Sequence, residues 1–142
     1  MFVAEPGARI GGWVLEARVG IGGLAEVWRA VPFGGGEPVA VKLLLDPDRS
    51  PAHRRRFLRE GRLLQAYPHR GLPRCVAIEP SAPPYLVLEL LDGESLADAL
   101  HREGPLSPRR ATAAANDLLQ VLDHLHQRGV VHRDIKLSLI HI

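Results

Sequence analysis

Apolar and polar residues alternate through RIGGWVLEARVGIGGLAEVWRAV (Arg9 to Val31), on both sides of GIGG, which predicts two strands joined by a glycine turn. Val27, Trp28 and Val31 suit a pleated surface. FGGGEP (Phe33 to Pro38) reads as a turn and VAVKLLL (Val39 to Leu45) as a third strand. DPDRSP breaks the pattern, and apolar positions then recur at helical spacing from about Ala52 to Ala66. A loop, YPHRGLPR, leads to a short strand in CVAIEP, a turn at SAPP, and a buried strand in YLVLELL (Tyr85 to Leu91). DGESLADALHREG predicts a short helix. PLSPRRATAAANDLLQVLDHLHQRG predicts the clearest one, with Ser107 as N-cap, Pro108 at the first helical position and Gly129 at the stop. Its apolar stripe is Leu118, Leu119, Leu122 and Leu125. An antiparallel sheet with one inserted helix, followed by helices, is an α+β plan.

Composition narrows the class without naming it. With 142 residues, 46% hydrophobic and 24% charged, the chain can form one domain with a modest core, or a piece of a larger one. No apolar run reaches the length of a membrane helix, and the start, MFVAEPGARIGG, lacks the pattern of a signal peptide. A cytoplasmic location is the expectation. Cys75 is the one cysteine, so neither an internal disulfide nor a thiolate metal cluster is expected. A net charge of +2 does not argue for nucleic acid. The basic run HRRRFLREGR interleaves with apolar positions at helical spacing and reads as a solvated helix face. Of 18 basic residues only Lys42 and Lys136 are lysine. In an arginine-rich chain these are the positions where a compact point charge is not interchangeable with a planar fork.

Three motifs carry candidate chemistry. VGIGGLAEV (Val19 to Val27) places Gly20 and Gly22 as the first two glycines of a G-x-G-x-x-G loop, with Ala25 in the third place. Glycines let a backbone come close to phosphates and offer its N–H groups. A dinucleotide-binding loop would open a helix, whereas EVWRAV alternates like a strand. VAVK follows on the next strand and HRDIK comes after the long helix, an order that is the signature of protein kinases.

From about Ile10 to Lys136 the sequence therefore resembles the amino-terminal half of a protein kinase domain, most like the bacterial Ser/Thr kinases. The resemblance implies a protein-kinase-like α+β fold: an antiparallel N-lobe sheet with one αC helix, followed by the first helices of an incomplete C-lobe. On this pattern residues 1–9 are a leader, 10–91 the N-lobe and hinge, 92–136 a partial C-lobe up to HRD, and 137–142 a non-native or divergent tail.

The same resemblance assigns roles. Val19, Gly20, Ile21, Gly22 and Gly23 would form the loop over the phosphates of ATP, and Lys42 would hold the α- and β-phosphates. Glu60 would pair with Lys42. Val27 and Ala40 match the positions that sandwich adenine. Leu88 matches the residue guarding the back of the pocket, and Glu89 and Leu91 would offer backbone groups to the adenine edge. Ser95 or Asp98 lies where a ribose contact could come from. Asp134 would accept the proton of a Ser or Thr hydroxyl on a protein substrate, Lys136 would neutralise the γ-phosphate, and Arg133 is the residue through which activation-loop phosphorylation often acts. His132 would be a packing residue.

The family pattern continues H-R-D-x-K-x-x-N, with the asparagine on Mg²⁺, but Leu139 stands there and has no oxygen for a hard cation. No metal site is expected within this sequence, and ATP, with Mg²⁺ in a full-length parent, is the implied cofactor set. LSLIHI breaks with the composition before it, and its back-translation matches the transposon end used in some sequencing libraries, so translated adapter is the expectation beside genuine divergence. A chain ending there should be inactive, and poorly soluble because Leu118, Leu122 and Leu125 lack partners. A membrane anchor is not decided by this sequence. The alternatives are a kinase-like scaffold that binds nucleotide without catalysis and, more distantly, a nicotinamide-dependent oxidoreductase.

Overall fold

The computed structural model of the chain describes residues 1–81 and 83–131. Six strands form one antiparallel sheet: β1 (Arg9–Ile10), β2 (Trp13–Ile21), β3 (Ala25–Pro32), β4 (Val39–Leu44), β5 (Cys75–Glu79) and β6 (Tyr85–Glu89), in the order β1-β2-β3-β4-β6-β5. Helix α1 (Pro51–Ala66) is inserted after β4, and α2 (Leu96–Glu103) and α3 (Pro108–His126) follow β6. This is the expected α+β plan. Two compact units divide the chain, one of residues Met1–Pro68 with Pro73–Leu90, the other of His69–Leu72 with the chain from Leu91 onward.

In the first unit both faces of the sheet are covered, which is why VAVKLL shows no clean alternation. One face packs Leu15, Trp28, Ala30, Val41, Leu43 and Val87, and receives Phe2, Ala4 and Ala8 from the start of the chain. The other packs Ala40, Leu44, Leu86 and Leu88 against Phe57 and Leu58 of α1. The β3–β4 turn needs its glycines: Gly34, Gly35 and Gly36 have φ of 97°, 94° and 145°, a region that other residues rarely enter. Strand β1 is too short to show a period in sequence and exists through its pairing with Trp13 and Val14 of β2.

In the second unit Ser107 caps α3 as predicted, and Ser95, expected only as a possible ribose contact, caps α2. Ser95 Oγ accepts from the Asp98 N–H at 3.1 Å, and Ser107 Oγ from the Arg110 N–H at 3.3 Å. Ser95 is buried in that cap. Arg102 pairs with Glu94 and Glu103, and Glu103 reaches Arg110 at 2.9 Å, tying α2 to the first turn of α3. The α3 stripe differs from expectation at one position. Leu125 is buried and Leu118 and Leu122 half-buried, but Leu119 is 61% exposed. At 100° per residue Val121, not Leu119, shares the face of the other three. Leu96, Leu106, Ala111, Ala114, Ala115 and Leu118 line an open apolar groove of about 200 Å³. No helix among the described residues is long and apolar enough to cross a membrane.

Candidate functional site

The site is built in the first unit, on the sheet face that α1 covers. Register places Gly20 opposite Val27, Val27 opposite Lys42, and Lys42 opposite Leu86. Directly opposed residues in antiparallel strands point the same way, so this row runs across four strands on one face. Ala40 and Leu44, two residues either side of Lys42, face the same way and are buried against α1.

Glu60 meets Lys42 from above. Lys42 Nζ donates to Glu60 Oε1 at 2.8 Å and to Oε2 at 3.0 Å. Two of the three ammonium protons are thereby engaged, leaving one for another acceptor. The side chains are 24% and 44% exposed, and an ion pair this open to water contributes at most about 1 kcal/mol to folding. Its effect is positional: it holds a positive charge in one place on the sheet.

What brings the helix close enough is a residue the motif comparison does not point to. A Cβ on Gly61 would lie 2.6 Å from Leu86 Cδ2 and 3.1 Å from Ile78 Cδ1. Any side chain here would force Leu86 or the helix to shift. A mid-helix glycine, disfavoured by about 1 kcal/mol relative to alanine, was the available signal.

The glycines of the β2–β3 turn are of another kind. Strand β2 ends at Ile21, β3 begins at Ala25, and the Gly22 N–H donates to the Ala25 carbonyl at 2.8 Å. Gly20, Gly22 and Gly23 are absent from the glycines with positive φ. A Cβ on Gly20 would come no nearer than 4.0 Å to Val27, one on Gly22 would sit 3.7 Å from the Ala25 carbonyl, and one on Gly23 would meet nothing. Neither backbone conformation nor packing demands glycine here. The three leave a strip of bare backbone, flanked by the exposed Val19 and Ile21. Glu26, beyond the turn, points to the opposite face, where it is buried with Arg18 Nη1 3.7 Å away.

Leu88 is buried opposite Ala40, and Glu89 lies opposite Val39. The Glu89 N–H donates to the Arg74 carbonyl at 2.8 Å, and the Glu89 carboxylate accepts the Arg74 N–H at 3.1 Å. This clasp fixes the end of β6, another feature not foreseen from sequence. Leu91 opens the second unit, at its surface. Asp134 and Lys136 lie outside the described residues, as do His132, Arg133 and Leu139. Among the described residues no group of three or more His, Cys, Asp or Glu side chains could hold a metal ion.

Cys75 is buried opposite Leu88, and burial pushes its thiol pKa up, outweighing a backbone hydrogen bond at Ala77 that lowers it, with the Glu60 charge adding to the rise. The thiolate is the reactive form. Iodoacetamide at neutral pH should therefore modify Cys75 slowly in the folded chain and quickly in urea, as mass spectrometry would register.

The family model for the protein kinase domain matches residues 13–141. Serine/threonine-protein kinase PknB of Mycobacterium tuberculosis is 39% identical over 127 residues, covering 83% of this chain and 20% of that protein. A probable serine/threonine-protein kinase of Streptomyces coelicolor, SCO3848, is 37% identical over 142 residues, 93% of this chain and 21% of that protein. The chain thus spans about a fifth of the length of these relatives. A solved structure described as PpkA-294 apo form is 21% identical and agrees with a TM-score of 0.86, over 99% of this chain and 57% of that one. At that identity the agreement speaks for the fold alone.

Proposed function

Since this chain belongs to the protein kinase domain family, we propose that it forms the nucleotide-holding part of a Ser/Thr protein kinase that moves the γ-phosphate of ATP to protein hydroxyls. The observation that carries the reading is the Lys42–Glu60 pair, at 2.8 Å, in the same sheet row as Val27 and Gly20. ATP fits these residues in kind: bare glycine backbone supplies N–H donors for phosphate oxygens, and Lys42 supplies charge with a donor to spare. Val19 to Gly23 would cover the phosphates. Val27 and Ala40, both small, would flank the adenine. With its N–H engaged by Arg74, Glu89 would offer its carbonyl to the adenine edge, and Leu91 its N–H. Asp134 would take the proton of the attacking hydroxyl as the new phosphorus–oxygen bond forms and the bond to ADP breaks, with Lys136 balancing charge on the transferred group. The cytoplasm, where ATP is made, is the compartment this reading implies.

Magnesium fits less well. The metal-binding asparagine of the family pattern is Leu139 here, which has no donor atom, so no step is routed through a metal. A second reading, in which the chain binds nucleotide without transferring phosphate, draws on Ala25 in the third glycine place of the loop.

Calorimetric titration with ATP tests the binding shared by both readings, and phosphate transfer to a generic protein substrate by the full-length parent separates them. Gly20→Ala with Gly22→Ala should change folding stability by less than about 0.5 kcal/mol, because both Cβ atoms have room, while weakening ATP roughly tenfold. No ATP binding by the unaltered chain, or equal affinity in the double variant, would count against the site.

A further inference from the structure

Helix α1 presents a second surface, facing away from Lys42 and the sheet. Phe57, Leu58 and Gly61 are its buried residues, and on the opposite side Arg55, Arg59 and Arg62 follow one another at spacings of four and three. All three are exposed, as is Arg56 beside them. Residues so spaced are neighbours on a helix surface, and like charges there destabilise it. Carboxylates would ordinarily interleave, yet Glu60, the only acid on the helix, is engaged by Lys42, and the first turn has none. Arg54 donates to the Pro80 carbonyl and is tied down. Elsewhere Arg18, Arg29, Arg102 and Arg110 each meet a carboxylate. Among the described residues, arginines such as Arg49, Arg74 and Arg109 have no ion pair but stand apart in sequence, whereas Arg55, Arg56, Arg59 and Arg62 are clustered on one helix with none. The helix therefore carries an uncompensated stripe that its own folding does not favour.

We propose that this stripe is a docking surface for an acidic segment of another protein, in extended conformation. The three guanidinium groups are spread over about 10 Å of helix, one per turn of about 5.4 Å. Alternate side chains of an extended segment are spaced about 6.6 Å apart, so carboxylates at every second position fall within reach of successive arginines. Each guanidinium can grip a carboxylate with two parallel N–H donors. A membrane surface fits less well, because the apolar side chains of α1 are buried against the sheet and none lies in the stripe to enter a bilayer. Nucleic acid fits less well too, since the chain as a whole carries only +2. This surface is independent of the nucleotide reading, since it uses none of those residues.

The test is fluorescence anisotropy with a labelled peptide alternating glutamate and serine, titrated with the whole chain. Binding should saturate and weaken as sodium chloride is raised from low salt to physiological strength. The triple variant Arg55→Gln, Arg59→Gln, Arg62→Gln should bind at least about tenfold more weakly. It should melt no lower than the unaltered chain, since the change removes repulsion and keeps good helix formers. A control triple, Arg49→Gln, Arg74→Gln, Arg109→Gln, lowers the net charge equally and should leave the affinity within about twofold. The proposal is overturned if the peptide does not bind at low salt, if both triples lose it equally, or if phosphatidylserine vesicles bind the stripe and the peptide does not.

Discussion

Gly61→Leu is expected to destabilise the first unit by about 3 kcal/mol, read as a lower urea midpoint, and to separate α1 from the sheet. The cause is steric: the first added carbon would already stand 2.6 Å from Leu86 Cδ2, and Leu86 is fully buried. Three further carbons have no space unless the helix moves outward. Because Glu60 is the preceding residue, outward movement also lengthens its contact with Lys42. A double-mutant cycle isolates the contact. Gly61→Ala gains about 1 kcal/mol of helix propensity and loses at least part of it to the clash, whereas Leu86→Ala alone should cost about 3 kcal/mol through the cavity it leaves. Combined, the new methyl enters the space vacated by leucine, so the pair should be less destabilised than the sum of the singles by about 1 kcal/mol or more. Simple additivity would mean that Gly61 does not set the helix–sheet distance.

Those two residues mark where sequence reasoning stopped. The strands around GIGG, the turn at FGGGEP, the inserted helix and the Ser107 cap were legible, because each rests on local chemistry: alternation, glycine, proline and side-chain capping. The pairing of Lys42 with Glu60 was legible only through the kinase-like order of motifs. VAVKLL is apolar on both faces, and periodicity cannot say towards which side its one charge points. The register does, by setting Lys42 between Val27 and Leu86. Gly61 was visible as a glycine in a helix but not as a spacer, since its neighbours come from β5 and β6, some 17 to 25 positions away in sequence. The same holds for the Arg74–Glu89 clasp. Leu119 shows the opposite error, a correct helix with one residue assigned to the wrong side, because adjacent leucines cannot both point at the same neighbour. Asp134 and Lys136 rest on motif and family alone.

Exchanging the two charges, Lys42→Glu with Glu60→Lys, should restore the stability of the first unit and leave ATP binding undetectable. The two properties separate because they ask different things of the pair. Stability asks only for opposite signs at hydrogen-bonding distance, and for side chains as exposed as these that is a matter of at most about 1 kcal/mol. Lys42→Glu alone places two carboxylates together and should lower the melting temperature by a few degrees, roughly 4–8 °C per kcal/mol in a unit of this size. The exchange should recover most of that loss. Nucleotide binding asks for a cation on the strand, in the row with Val27 and Gly20, because phosphate is held by the ammonium and repelled by a carboxylate. A lysine on the helix cannot substitute, since its charge then starts from the α1 side of the gap and is engaged by the carboxylate now on the strand. The affinity of the exchanged chain should be at least about a hundredfold below that of the unaltered one, a loss of the size expected when a desolvated charge contact is reversed. Recovery of both stability and ATP binding in the exchanged chain would mean that the pair acts as a structural clamp and that the phosphates are held elsewhere.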